Sequence, residues 1–364
     1  MRASRVVGFD RRALLAGLGA SALGRPAAAA GPSWSDVTGR LAVSFPPDAP
    51  GAVAVAAKGD AIAYVRGFGL AEVELGAPMR ADSVLRIASL TKQFTAVAIL
   101  RLVEAARLDL GDTLAGRLAD CPPGWQTITL RQLLSQTSGL TDDMGPIFSQ
   151  PLVDRTPSEL LAPYRDRPLA AAPGAHWRYS NLNYWILGQV IEAATGEAFA
   201  DHVSRHVLAS GMTRTRYGDA LAIVPGRALG YEAASAGGWR NARPFSQSIG
   251  YAAGGFLSTP LEMARWYAAL GRGEIVSRTL LDLAGRDVAT TDGKPTGYGL
   301  GWYVSKTDGD VTMHHGGSSV GFESYLFWIP SKALFSGVFK NRNDARGEPQ
   351  IEAHALLEDL IRRR

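Results

Sequence analysis

Residues 86–106 read RIASLTKQFTAVAILRLVEAA, and the part that begins at Ser89 has the apolar spacing of a helix. Its apolar side chains recur every three or four residues, which is the period of an α-helix and not of a strand. The face that they form is broad and contains Leu90, Phe94, Val97, Ala98 and Leu102. A helix with so wide an apolar face is predicted to be buried over most of its length.

The beginning of this helix also carries a serine and a lysine, Ser89 and Lys92, three residues apart. Residues i and i+3 of a helix are neighbours on one face. A serine hydroxyl needs a base to become a nucleophile, and a lysine amine can be that base when its surroundings lower its pKa. The backbone N–H at a helix start is an unsatisfied donor that can hold an oxyanion. Taken alone, the spacing also fits an ordinary helix.

Strand patterns lie at both ends of the chain, and helical patterns lie between them. Residues 51–69, GAVAVAAKGDAIAYVRGFG, contain two apolar runs joined by a Gly-Asp turn, which predicts a β-hairpin. Four strand patterns lie between residues 299 and 341, and an amphipathic helix follows them. The sequence therefore predicts an α+β fold (an α/β sandwich), with one antiparallel sheet built from both chain ends, flanking helices and an inserted, mainly helical lobe. The expected lobes are an α/β lobe at 31–108 and 271–364 and a helical lobe at 109–270.

The first 30 residues are predicted to be an export signal. Arg11 and Arg12 precede a short stretch rich in Gly and Ala, and small residues suited to signal-peptidase cleavage follow near Ala30. The stretch is too short to span a bilayer, and paired arginines are typical of the twin-arginine route, with a plain secretory signal as the alternative. We therefore expect a periplasmic or secreted protein without stable membrane insertion.

The basic balance of the chain comes from this leader. The chain has 38 Lys+Arg and 34 Asp+Glu, and both counts fall to 33 without residues 1–30. A neutral remainder gives no reason to expect a nucleic-acid partner. The single cysteine, Cys121, excludes an intrachain disulfide.

Two later stretches add polar groups that complement a serine nucleophile. Tyr179-Ser180-Asn181 is the only Y-x-N in the chain. A tyrosinate near a lysine can act as base or relay, and an asparagine amide can hold a substrate carbonyl. In MHHGGSSVGFESY, residues 313–325, Gly316 and Gly317 would let a substrate backbone approach, and the next amide would be a second oxyanion donor.

In this order, the three motifs resemble those of the serine β-lactamase and penicillin-binding superfamily. The S-x-x-K, Y-x-N and [KH]-x-G motifs of that family correspond here to Ser89-Leu90-Thr91-Lys92, Tyr179-Ser180-Asn181 and His315-Gly316-Gly317. The branch that the chain resembles is the class C β-lactamase-like group, which includes carboxylesterases and D-alanyl-D-alanine carboxypeptidases. The resemblance spans about residues 35–360 and implies a β-lactamase/transpeptidase-like fold.

The resemblance also implies a role for each motif residue. Ser89 would form an acyl-enzyme, with Lys92 and Tyr179 sharing the duties of general base and acid. The backbone N–H groups of Ser89 and Ser318 would form the oxyanion hole. The implied substrate-binding residues are Asn181, His315, Gly316, Gly317 and Ser318. No metal and no other cofactor is expected, and nothing in the sequence indicates an oligomeric state.

Two residues depart from the family pattern. The third motif begins with His315, whereas class C β-lactamases have a lysine there; a neutral imidazole holds a carboxylate less firmly than a permanent positive charge does. Gln136 replaces the usual histidine of LLSHTSGL and is interpreted as structural. The expected substrate is therefore a small carboxylic ester or amide. The alternatives are a D-alanyl-D-alanine carboxypeptidase, a weak β-lactamase, and an inactive member that binds cell-wall peptides.

A zinc-dependent hydrolase is a more distant alternative. His202 and His206 are four residues apart, as two zinc ligands on a helix would be. No H-E-x-x-H pattern includes them and no third ligand is evident in the sequence. We therefore expect them to lie on a solvated helix face.

Overall fold

A computed structural model describes residues 33–141, 144–344 and 347–363 of the chain. The predicted export signal lies outside these residues. The helices are α1 (Trp34–Ser44), α2 (Thr91–Glu104), α3 (Leu114–Arg117), α4 (Leu130–Leu134), α5 (Gly145–Phe148), α6 (Pro157–Leu161), α7 (Asn181–Thr195), α8 (Phe199–His206), α9 (Tyr251–Gly254), α10 (Pro260–Arg272), α11 (Arg278–Ala284) and α12 (Pro349–Arg362). The strands are β1 (Ala52–Lys58), β2 (Ala61–Phe68), β3 (Leu70–Glu72), β4 (Ala77–Pro78), β5 (Leu85–Arg86), β6 (Arg216–Tyr217), β7 (Tyr231–Ala233), β8 (Trp239–Asn241), β9 (Phe256–Ser258), β10 (Tyr303–Thr307), β11 (Asp310–Ser319), β12 (Phe322–Ile329), β13 (Leu334–Lys340) and β14 (Arg342–Asn343).

The main sheet has six strands in the order β10-β11-β12-β13-β1-β2, and each neighbouring pair is antiparallel. Strand β1 lies beside β13 with Val55 opposite Gly337, so the two ends of the chain meet in the middle of the sheet. The predicted hairpin joins β1 to β2, and Gly59 at its turn has a φ of 56°, which glycine adopts without strain. The prediction of one antiparallel sheet built from both ends is confirmed.

Helices cover both faces of this sheet, as the alternation along β1 shows. Side chains of a strand point to opposite faces in turn. One face packs with α1 and α12 through Ala52, Ala54 and Ala56. The other face, which includes Val53, Val55 and Ala57, belongs to the large core that contains α2 and α10. Burial on both faces explains why β1 is almost entirely apolar.

Helix α2 is the central helix of the fold, and α7, α8 and α9 pack against it. Every residue from Thr91 to Leu100 is buried, as the broad apolar face predicts. The regular helix begins two residues later than the sequence pattern indicates, because Ala88–Leu90 forms a 3-10 turn. Ala88 has a φ of 46°, a left-handed conformation that costs a residue with a Cβ about 1–2 kcal/mol.

Residues that favour helix ends lie at the start of α10 and at the end of α7. The side chain of Thr259 caps α10 by accepting a hydrogen bond from the backbone of Glu262 at 3.1 Å, and Pro260 occupies the first turn. Gly196 ends α7 in the left-handed conformation. Helix α10 continues past residue 270, where the sequence places a lobe boundary, and packs on β1 and β13. Within the described residues, no helix is long and apolar enough to cross a bilayer.

Candidate active site

The 3-10 turn that carries Ser89 lies against strand β11. A Cβ atom on Gly317 of β11 would collide with the carbonyl oxygen of Ile87, and one on Gly316 would lie 3.0 Å from the Tyr325 ring. The sequence interpretation assigned the space above both glycines to substrate. In the structure, Gly317 is needed so that β11 can approach the turn that holds Ser89.

Lys92 lies one turn further along the chain and is fully buried. Its Nζ atom is 3.2 Å from Ser89 Oγ, 2.7 Å from Asn181 Oδ1 and 2.9 Å from the carbonyl oxygen of Ala253. The last two atoms can only accept hydrogen bonds. The amine is therefore fixed beside the serine hydroxyl by two acceptors that come from other parts of the chain.

Tyr179 and Asn181 reach the same place from the start of α7. Ser180 is the N-cap of this helix, and its side chain accepts a hydrogen bond from the backbone of Leu182 at 3.2 Å. The Tyr179 ring centroid lies 4.8 Å from Lys92 Nζ and 5.9 Å from the His315 ring centroid. The structure thus brings all three predicted motifs together, although they are far apart in sequence.

Gln136 holds the Y-x-N segment in position. Its Oε1 atom accepts a hydrogen bond from the backbone N–H of Ser180 at 3.0 Å and another from the side-chain amide of Asn183. Its carbonyl oxygen accepts from the backbone of Arg178 at 2.8 Å. Gln136 therefore binds the backbone on both sides of Tyr179. The sequence interpretation treated Gln136 as structural and missed this link to the site.

Replacing Gln136 with alanine is expected to lower kcat for any reaction at Ser89 at least about 10-fold. The hydrogen bonds of the Gln136 side chain that hold Tyr179 and Asn181 in position would be lost. Unfolding free energy should also fall by about 1–3 kcal/mol, since the donors of Ser180 and Asn183 are left unsatisfied. Steady-state kinetics and urea unfolding measure the two effects. Gln136→His keeps a hydrogen-bond acceptor and should recover part of kcat. An unchanged kcat in folded Gln136→Ala would contradict this positioning role.

His315 faces the site, whereas His314 faces the other side of the sheet. The Nδ1–H of His315 donates to the carbonyl oxygen of Gly316 at 2.6 Å, and its Nε2 accepts from the Tyr298 hydroxyl at 3.2 Å. Burial, together with the positive charge of Lys92, lowers the pKa of His315 to about 3, so its imidazole is neutral at pH 7. Both ring nitrogens are engaged within the protein, which favours a positioning role over contact with a substrate.

His314 packs among aromatic rings on the opposite face. Its ring stacks on Tyr303 with centroids 5.7 Å apart, and its Nδ1 is 2.8 Å from the Tyr325 hydroxyl. The sequence interpretation preferred His315 as the motif histidine, and the geometry agrees, since His315 is the histidine next to Tyr179.

A cleft of about 130 Å³ opens beside Ser89, and Asn181 and Ser318 also border it. Its larger apolar lining residues are Met144, Phe148, Trp185, Phe245, Ile249 and Val320. The rings of Phe148 and Phe245 stack with centroids 5.7 Å apart. No charged side chain lines the cleft among the residues that the structure describes. A larger depression of about 430 Å³ lies between α1 and α12, but none of the motif residues lines it.

A serine, a buried lysine and a tyrosine meet beside this cleft, at the junction of an antiparallel sheet and a helical region. This arrangement is typical of proteins in which a serine side chain acts as a nucleophile beside a base. The family model described as Beta-lactamase matches residues 42–360, and the chain belongs to this family. The predicted membership of the serine β-lactamase and penicillin-binding superfamily is confirmed.

Relatives within this group have different functions. The chain is 30% identical over 287 residues to "Penicillin-binding protein 4*" of Bacillus subtilis, covering 72% of this chain and 62% of that protein. It is 37% identical over 166 residues to "Esterase EstB" of Burkholderia gladioli, covering 41% of this chain and 42% of the esterase. The chain thus spans less than two thirds of the length of these relatives.

A solved structure with the same fold is the octameric penicillin-binding protein homologue from Pyrococcus abyssi. It superposes with a TM-score of 0.76 at 26% identity and covers 90% of this chain and 76% of that one. The predicted α+β fold is therefore also the fold of a penicillin-binding protein homologue.

Proposed function

We propose that this chain is a serine hydrolase that forms an acyl-enzyme on Ser89 and cleaves a carboxylic ester or amide. The observation that carries this proposal is the 3.2 Å contact between Lys92 Nζ and Ser89 Oγ. An amine at hydrogen-bond distance from a hydroxyl, buried beside an open cleft, is the arrangement that nucleophilic catalysis requires.

Two further contacts of Lys92 bear on where a proton can go. To act as the base, Lys92 must first lose the positive charge that it carries beside His315; the neutral amine then has two N–H groups and one lone pair. If Asn181 Oδ1 and the Ala253 carbonyl oxygen take the two N–H groups, the lone pair points toward Ser89 Oγ. Lys92 would then accept the hydroxyl proton while Oγ forms a bond to the substrate carbonyl carbon. Tyr179, whose ring lies beside Lys92, remains the alternative base or the acid for the leaving group.

The remaining steps follow from acyl transfer. The tetrahedral oxyanion would be held by the backbone N–H groups of Ser89 and Ser318, each contributing about 3–4 kcal/mol of barrier lowering. Ser89 and Ser318 border the same cleft, which supports this assignment. Cleavage of the C–O or C–N bond releases a protonated leaving group, and water then hydrolyses the acyl-enzyme and restores the serine hydroxyl.

The lining of the cleft supports an uncharged ester as the substrate class. Peptides that end in D-alanine and β-lactams carry a carboxylate, which needs a cationic partner when it leaves water. The described cleft lining has no charged side chain, and His315 is neutral with both nitrogens engaged. The esterase among the relatives agrees with this choice. We also propose that the chain belongs to the class C β-lactamase-like branch of the family.

An uncharged short-chain nitrophenyl ester is expected to be cleaved with a kcat/KM at least about 100-fold above that of a D-alanyl-D-alanine peptide or a penicillin, because their carboxylates would be left unpaired. Parallel assays of the three substrates with one preparation measure this ratio. The reverse ranking would favour a carboxypeptidase or β-lactamase. No turnover of any of them, despite binding of the peptide, would favour the inactive cell-wall-peptide-binding alternative.

A further inference from the structure

Outside the cleft, the structure brings a third side chain to the two histidines spaced four residues apart. His202 and His206 lie on α8, and Glu197 lies in the short linker between α7 and α8. The sequence pattern gave no third ligand because Glu197 comes before the helix, outside the spacing of known zinc motifs. One ligand atom from each of the three residues lies within 4.8 Å of the other two.

The distances in this cluster fit a tetrahedral metal ion. Zinc–nitrogen and zinc–oxygen bonds of about 2.0–2.1 Å place neighbouring tetrahedral ligands about 3.3–3.4 Å apart. The Nδ1 atom of His202 is 3.1 Å from Glu197 Oε2, and the Nε2 atom of His206 is 3.4 Å from the same oxygen. Two of the three distances between ligand atoms therefore already have the length that a tetrahedral zinc ion requires. The third, between the two imidazole nitrogens, is no longer than 4.8 Å, and His206, whose side chain is 42% exposed, has solvent beside it.

We propose that Glu197 Oε2, His202 Nδ1 and His206 Nε2 form a binding site for a divalent transition metal of the zinc type. Two imidazoles and one carboxylate are a ligand set that zinc uses, with water in the fourth position. Calcium and magnesium prefer oxygen ligands, so this donor set selects against them.

The state of His202 supports its role as a ligand. Its side chain is almost fully buried, so the ring is held in one place with Nδ1 3.1 Å from Glu197 Oε2. Its Nδ1 contacts Glu197, and its Nε2 has no hydrogen-bond partner within the described part of the chain. Within the described residues, the hydrogen bond of this buried ring is therefore made to Glu197, a member of the proposed site.

Nearby positively charged side chains weaken the electrostatic attraction of the site for a metal ion, but they do not contact the proposed ligand atoms. Arg205 contacts Oε1 of Glu197 at 3.2 Å, which leaves Oε2 directed toward the histidines. Arg101 is a second positively charged residue near His202. None of the three ligands lines the Ser89 cleft. A metal here would fasten the linker at Glu197 to α8 and so stabilise the fold.

Titration with Co²⁺ tests the site, because tetrahedral Co²⁺ has visible absorption that Zn²⁺ abolishes when it displaces the ion. The protein would carry no polyhistidine tag and would first be treated with chelator. We expect one Co²⁺ per chain, displacement by Zn²⁺, and a rise in the unfolding midpoint with Zn²⁺, since a ligand that binds only the folded state stabilises it.

Two variants separate this site from weak surface binding. His206→Ala removes an exposed ligand and should weaken Co²⁺ binding at least about 10-fold and abolish the thermal shift. His354→Ala is the matched control, because His354 also lies four residues from a glutamate, Glu358, at 3.4 Å on α12, but within the described residues it belongs to no cluster of three possible metal ligands. It should leave both readouts unchanged. No tetrahedral Co²⁺ signal up to about 1 mM, or equal binding by His206→Ala and the unmodified protein, would overturn the proposal.

Discussion

Ser89→Ala is expected to lower kcat for nitrophenyl ester hydrolysis at least about 10⁴-fold, because the proposed acyl-enzyme forms on the hydroxyl that this variant lacks. Oγ of Ser89 is the atom that Lys92 Nζ contacts at 3.2 Å, and it borders the cleft. The variant removes one partly buried oxygen, so the fold and the substrate KM should change little. Steady-state assays with the purified variant measure kcat and KM, and its circular dichroism spectrum reports whether the fold is retained.

Lys92→Met should produce a comparable loss, since it keeps the apolar length of the side chain but removes the amine. Ser319→Ala is the matched control: Ser319 borders the same cleft, but it has no proposed role in the reaction. Its kcat should stay within a few fold of the unmodified enzyme. Ester turnover that survives in Ser89→Ala would show that the nucleophile has been assigned to the wrong residue.

The parts of the fold that depend on local pattern could be predicted from the sequence. The apolar run that forms β1 and the buried face of α2 both follow from residues that are neighbours in the sequence, and both predictions are confirmed. The strand patterns at the two chain ends also predicted the sheet, because strands that are buried on both faces must pair to satisfy their backbone N–H and C=O groups. The three motifs indicated which residues would meet, and the structure places Ser89, Lys92 and Tyr179 together.

Contacts between distant side chains could not be read from the sequence. The carbonyl oxygen of Ala253 fixes Lys92 from 161 residues away, and any residue would supply the same carbonyl group. Gln136 supports Ser180 across 44 residues. Glu197 joins the two histidines because the α7–α8 linker turns back toward α8. Such partners depend on tertiary geometry, to which hydrophobic periodicity gives no signal. The catalytic roles of the motif residues, and the lobe boundaries, stay predictions.

A second large effect is expected on stability at acidic pH, and it arises from the adjacent histidines of β11. Burial lowers the pKa of His315 to about 3 and that of His314 to about 4, whereas both would titrate near 6.5 when unfolded. Below pH 6.5 the unfolded chain therefore binds protons that the folded chain does not. Unfolding free energy should then fall as the pH decreases from about 6.5 toward 4, by up to about 1.4 kcal/mol per pH unit for each histidine.

Urea unfolding at several pH values between about 4.5 and 7.5 measures this slope. His314→Gln removes one of the two groups on the side of the sheet away from the site, so its slope should be smaller by about one proton. His176→Gln replaces an exposed histidine and is the control that should keep the original slope. His314 is the better residue to change, because His315 also contacts Tyr298 and lies next to Tyr179. An equal pH dependence in His314→Gln and the unmodified protein would mean that His314 is protonated in the folded state as readily as in the unfolded one. That result is incompatible with a partly buried, neutral imidazole stacked between aromatic rings.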